Sequence, residues 1–241
     1  MQSQDLTISV AGTAMPCYLA TPPKGKHPAV IVLQEIYGVN REMRRVADLL
    51  ATAGYVALVP NFYYRTDPEL AAPYTPEGAQ IGMKAAAGIT RATLRADLGA
   101  AIDWLNGQEF VAFGHIATWG FCLGGTVAFF SATMPGISAA AAFYGTGIAR
   151  PLHSGEPEML AEVADLRAPL LLVFGGQDQS IPPDAIARIE QALSGAGKRF
   201  EVQVYPAVGH AFFRGSEPDH HVAESSDAWE RVQAFFRKHL T

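Results

Sequence analysis

Cysteine is scarce: Cys17 and Cys122 are the only two in 241 residues. That is too few for a disulfide framework in a chain of this size, and both are read as thiols. Clustered positive charge is also missing. Eighteen Lys and Arg stand against 23 Asp and Glu, for a formal net charge of −5, and no basic run stands out. A phosphate backbone is bound through such a cluster, so nucleic acid is not an expected partner. No apolar run approaches the roughly 18 residues of a membrane span. Met1 to Asp5 shows no basic segment leading into an apolar core, so a cytoplasmic location without membrane contact is expected. Internal repeats, low-complexity tracts and linkers are absent as well. The expectation is a single domain over 1–241, as a monomer or small homo-oligomer, with no metal. The adjacent His220 and His221 have no Cys, Asp or Glu partners at ligand spacing.

What is present is a hydrophobic content of 49% arranged in strands that alternate with helices. Residues 5–10 and 14–20 alternate apolar and polar side chains around Ala11-Gly12-Thr13, the pattern of an antiparallel hairpin. Cys17, within its second arm, reads as part of an edge strand with a structural role. Ala29 to Gln34 and Tyr55 to Pro60 are continuous β-branched and aliphatic runs of the kind buried on both faces. Between them Asn40 supplies a cap for a helix over 41–53, which Gly54 stops. From 61 to 80 periodicity gives way to an aromatic, proline-rich loop, and loops of this length are often functional. Helices follow at 79–87 and 90–106. Strands at 114–121, 137–144, 170–175 and 200–205 and helices at 123–133, 183–196 and 222–239 complete the pattern. The expected fold is α/β: a mostly parallel, doubly wound sheet with helices on both faces and an antiparallel start.

One strand runs into Gly120-Phe121-Cys122-Leu123-Gly124-Gly125 and directly into a helix. A nucleophile framed by glycines at a strand-to-helix turn is the nucleophile elbow. A cysteine in such a turn can equally be a small buried hydrophobe, so the other residues decide. Asp178, in Gly175-Gly176-Gln177-Asp178, and His210, in Gly209-His210-Ala211-Phe212, both follow apolar strands. Nucleophile, acid and histidine in this chain order are the arrangement of the α/β-hydrolase fold. His27, His115, His153, His220, His221 and His239 occupy turns, strand starts or helix ends and read as idle.

These segments, together with Gln34-Glu35-Ile36-Tyr37-Gly38-Val39-Asn40 and Tyr144-Gly145-Thr146-Gly147, resemble the dienelactone hydrolase family over nearly the whole chain. The resemblance implies a hydrolase of small esters or lactones, dienelactone-like and carboxylate-bearing, with Cys122, Asp178 and His210 as its triad and no cofactor. It implies that Glu35 faces a neutral thiol at rest and takes its proton when substrate binds; a carboxylate taken out of water is a usable base. Backbone N–H groups of Ile36 and Leu123 are the implied oxyanion donors. Of the two arginines that hold the substrate carboxylate in the family, Arg214 matches the one four residues after the histidine. The other has no counterpart in 75–82; Arg65 is the nearest candidate. Tyr64 and Tyr144, with Tyr63 and Tyr74, are candidate pocket walls or packing residues.

Two other functions stay open at this point. One is a broad carboxylesterase or thioesterase of the same fold that ignores the carboxylate. The other is a binding module or thiol redox sensor, whose mark would be a missing triad member; none is missing.

Overall fold

A computed structural model describes residues 1–152, 157–215 and 220–240. The backbone groups into two compact units, 1–118 and 119–241.

The first unit opens with β1 (Gln2–Val10) and β2 (Thr13–Thr21), paired antiparallel with Val10 opposite Thr13. The turn is therefore two residues, Ala11 and Gly12, not three. Both have positive φ, 48° and 86°, which is what a turn matching the strands' right-handed twist demands. β3 (His27–Leu33), α1 (Arg41–Thr52), β4 (Val56–Pro60), α2 (Pro76–Ala86), α3 (Arg91–Asn106) and the first part of β5 (Val111–Phe121) follow. Strand neighbours run β1-β2-β4-β3-β5. β4 thus pairs with the inner side of β2, placing Cys17 opposite Pro60. Cys17 lies on an interior strand, a correction to the edge-strand expectation. The error arose because strand order is a long-range property that the local pattern of β2 does not carry.

Local signals account for the helix bounds. Asn40 Oδ1 accepts from the backbone N–H groups of Glu42 and Met43 at 3.1 and 3.2 Å, satisfying two donors that a helix start leaves over. Met43, Val46, Ala47 and Leu50 form the buried face of α1. α2 begins at 76, three residues before its apolar periodicity. Thr75 caps it by accepting from Gly78 N–H at 3.1 Å, and Pro76 is suited to the first turn, where no backbone donor is needed.

The second unit holds the end of β5, then α4 (Leu123–Ser131), β6 (Ala139–Phe143), β7 (Leu170–Gly175), α5 (Pro183–Gly195), β8 (Phe200–Tyr205) and α6 (Val222–His239). Strand neighbours run β5-β6-β7-β8, with β6/β7 and β7/β8 parallel. Between β6 and β7 lies a 3-10 turn at Met159–Asp165. Trp119 and Phe121, two apart on β5, point to one face. There they pack against Phe143 and Phe213, with ring centroids 5.0 to 5.7 Å apart across the group. Trp229 of α6 stacks on Trp119 at 5.4 Å. The last residues before Cys122 are thereby fixed by aromatic packing from both β6 and α6.

Candidate active site

Cys122 sits between β5 and α4 with φ 55° and ψ −112°, a backbone conformation costly for any residue with a Cβ and one that clusters at functional sites. Its N–H donates to Phe143 O at 3.0 Å. The flanking glycines make the turn possible. A Cβ on Gly120 would lie 1.8 Å from Gly124 O, and one on Gly125 would lie 2.3 Å from Phe143 O. Leu123 is the first residue of α4, where the N–H has no intrahelical acceptor, and the helix start favours negative charge there.

Asp178 and His210 stand on two loops laced together. Gly176 N–H donates to Tyr205 O at 2.8 Å, and Gln177 N–H to Val208 O at 2.9 Å. Gly175 permits this approach, since a Cβ there would lie 2.5 Å from both Gly209 O and Val208 O. Asp178, 4% exposed, spends both oxygens: Oδ1 accepts from Ser180 N–H at 2.7 Å and Oδ2 faces His210 Nδ1 at 2.7 Å. The thiol of Cys122 is hydrogen-bonded to His210. Burial alone would lower the histidine's pKa. The hydrogen bonds from Asp178 and Cys122 and the charges of the two outweigh it, so that the imidazolium is pushed up to about 10. The structure thus brings Cys122, Asp178 and His210 together, with the thiol turned to the histidine.

Tyr144 also belongs to this cluster. It is fully buried, with φ 39°, and its ring lies edge-on to His210 at 5.1 Å. Arg214 is half-buried on the loop after His210, its N–H donating to Ala211 O at 3.1 Å. His153 lies outside the described residues.

In the first unit, Glu35 is fully buried, and its Oε2 accepts from Tyr74 O–H at 2.7 Å. Ile36 O accepts from Tyr63 O–H at 3.1 Å. Arg65 and Tyr64 converge on Asp97, which is 1% exposed. Tyr64 O–H donates to Oδ1 at 2.9 Å, and the Arg65 guanidinium bridges both oxygens at 2.7 and 2.9 Å. What these two side chains touch is therefore a buried carboxylate of α3. Asp97 had a signal in the sequence: it falls on the same helix face as Leu94, Leu98 and Ala101, and a charge on a buried face calls for partners. Among the described residues, no group of three or more His, Cys, Asp or Glu is placed to hold a metal, and no helix is long and apolar enough to cross a membrane.

The profile of the dienelactone hydrolase family matches residues 15–240. The chain belongs to this family. A Synechocystis protein named "Putative carboxymethylenebutenolidase" is 34% identical over 224 residues, covering 92% of this chain and 91% of that one. An Escherichia coli K12 protein of the same name is 36% identical over 242 residues, covering 97% and 86%. Among solved structures, a "Putative Dienelactone Hydrolase" from Klebsiella pneumoniae is 30% identical, with a TM-score of 0.89 over 99% of each chain. The α/β-hydrolase fold expected from the order of Cys122, Asp178 and His210 is the fold of this dienelactone hydrolase family member.

Proposed function

We propose that this family member hydrolyses small esters or lactones, carboxylate-bearing lactones among them, by acyl transfer through Cys122. The observation that carries the reading is the hydrogen-bonded series Cys122, His210, Asp178, with the thiol at a strained elbow. The sulfur, as thiolate, attacks the carbonyl carbon and forms a C–S bond. The negative oxygen is met by the N–H groups of Leu123 and Ile36. The C–O bond breaks, and the His210 imidazolium gives its proton to the leaving alkoxide or to the enolate of an opened lactone. Water then attacks the thioester while His210 takes its proton, and the C–S bond breaks to release the acid. Asp178 keeps the proton on Nδ1 throughout, leaving Nε2 for the chemistry.

Glu35 takes the proton that the thiol gives up as substrate arrives; its complete burial and its fixed carboxylate support this role. Arg214 binds the substrate carboxylate by charge-assisted hydrogen bonds. The carboxymethylenebutenolidase names of the relatives, which denote a carboxylate-bearing lactone, support that choice.

A panel of neutral nitrophenyl esters and carboxylate-bearing enol lactones, run on wild type and Cys122→Ala, tests the reaction. Loss of all turnover in the variant is the expected result, and unchanged turnover overturns the proposal. Arg214→Ala should raise KM for the charged lactones only. An equal effect on neutral esters would point to the broad esterase that ignores the carboxylate.

A further inference from the structure

The segment Gln34 to Gly38 is gripped residue by residue by the loop that follows β4. Gln34 Oε1 accepts from Phe62 N–H at 3.2 Å, Glu35 Oε2 from Tyr74 O–H at 2.7 Å, and Ile36 O from Tyr63 O–H at 3.1 Å. Tyr37 O accepts from Ala72 N–H at 2.9 Å, and Gly38 forms a bridge with Ala71. Two glycines are needed for the fit: a Cβ on Gly38 would lie 2.1 Å from Leu70 O, and one on Gly82 would lie 1.9 Å from Ile36 O. Five consecutive residues with five partners on one loop make that loop a mould for the segment.

Within this mould the Tyr74 contact has a chemical consequence. The last torsion of a glutamate is broad and two-fold, so burial alone leaves open how the carboxylate presents its oxygens. A phenol O–H to carboxylate bond of 2.7 Å is charge-assisted and directional. The Tyr37 ring lies edge-on to Tyr74 with centroids 4.6 Å apart, which keeps the phenol from swinging away.

We propose that Tyr74 is a positioning residue for Glu35: its hydroxyl fixes the carboxylate in the orientation from which it accepts the thiol proton. The aromatic loop over 61–75 thereby serves the reaction as the support of a proton acceptor. This rests on the role given to Glu35 under the proposed function.

A double-mutant cycle on ester hydrolysis separates the two claims. Glu35→Gln should lower kcat. Tyr74→Phe, which removes one oxygen, should lower kcat about tenfold with KM little changed, the kinetic equivalent of one modest hydrogen bond to a charged group. The double variant should be no slower than Glu35→Gln alone, because a residue that acts through Glu35 has nothing left to position. A merely structural role would cost the same factor in both backgrounds, and that outcome overturns the proposal, as does a Tyr74→Phe enzyme of wild-type kcat beside an impaired Glu35→Gln. An unimpaired Glu35→Gln instead overturns the role of Glu35 itself. Tyr37→Leu, which leaves the Tyr74 hydroxyl in place but removes the edge contact on its ring, gives a second reading: a smaller loss of kcat, about threefold, again absent in the Glu35→Gln background.

Discussion

Asp178→Asn exchanges one carboxylate oxygen for an NH2 group, and the hydrogen bonds around that oxygen set the cost. In the wild type, Oδ1 accepts from Ser180 N–H and Oδ2 accepts from the Nδ1–H of His210, each at 2.7 Å. An asparagine has one acceptor oxygen and one NH2. If its oxygen stays with Ser180, the NH2 faces Nδ1, and the neutral His210 must carry its proton on Nε2, where it cannot receive one from the attacking water. If the side chain turns over, two donors meet at Ser180 in a buried place. Losing a hydrogen bond to a charged group costs about 1.5–3 kcal/mol, and an unsatisfied buried donor adds about 1–3 kcal/mol. The sum, about 2.5–6 kcal/mol, corresponds to a fall in kcat/KM of roughly 10²–10⁴-fold. The upper end agrees with the effect of the wrong tautomer in a triad. Steady-state kinetics on a nitrophenyl ester, with circular dichroism to confirm the fold, measures it. A folded Asp178→Asn that loses less than tenfold would show that Asp178 does not hold the histidine tautomer.

The same variant has a signature in stability. His210 is raised from 6.5 to about 10 in the folded state, so its contribution is fully present below pH 6.5 and lost as pH rises through about 10. The Tm difference between wild type and Asp178→Asn should be largest below pH 6.5 and shrink towards pH 10.

Packing and burial set three further outcomes. Gly125→Ala forces a Cβ to within 2.3 Å of Phe143 O and should lower Tm by about 2–12 °C, the equivalent of roughly 1–3 kcal/mol of overpacking. By contrast Gly99→Ala, inside α3 with nothing within 4 Å of the added atom, should raise Tm by about 1–4 °C; matching shifts in the two scans would contradict the account. Iodoacetamide on the native protein should modify Cys122 alone, because burial, with a smaller push from the charge of Asp97, outweighs a backbone hydrogen bond from Asn61 and raises Cys17 to about 12; peptide mapping that finds Cys17 labelled before denaturation would contradict this. Arg65→Met leaves Asp97 buried with Tyr64 as its remaining partner among the two. Discounted because Arg65 is 35% exposed, the cost should be about 1–3 kcal/mol, read as a lower denaturant midpoint. An unchanged midpoint would show the pair to be idle.

What was legible in the sequence is what local chemistry controls. Asn40 and Gly54 bracket α1, the glycine-framed turn at Cys122 joins β5 to α4, and α6 spans 222–239 as its apolar spacing indicates. Each signal lies within a few residues of the feature it specifies. The misread features depend on partners far along the chain. Cys17 could not be placed on an interior strand without knowing that β4 pairs with β2. The loop over 61–75 has no periodicity of its own because its order comes from contacts with 34–38 and with Asp97. Tyr74 was one of several aromatic candidates there, and nothing in its neighbours distinguishes the tyrosine that meets Glu35 from those that do not.

The proposed mechanism stands on Cys122 as the carrier of the acyl group. Mixing the enzyme with an excess of a slowly released ester, quenching in acid within milliseconds to seconds, and mapping the peptides by mass spectrometry puts this to the test. The expected result is one acyl mass, on the peptide holding Cys122, labile to hydroxylamine and absent in Cys122→Ala. An acyl mass on another residue, or wild-type turnover by Cys122→Ala with no covalent species, would contradict it.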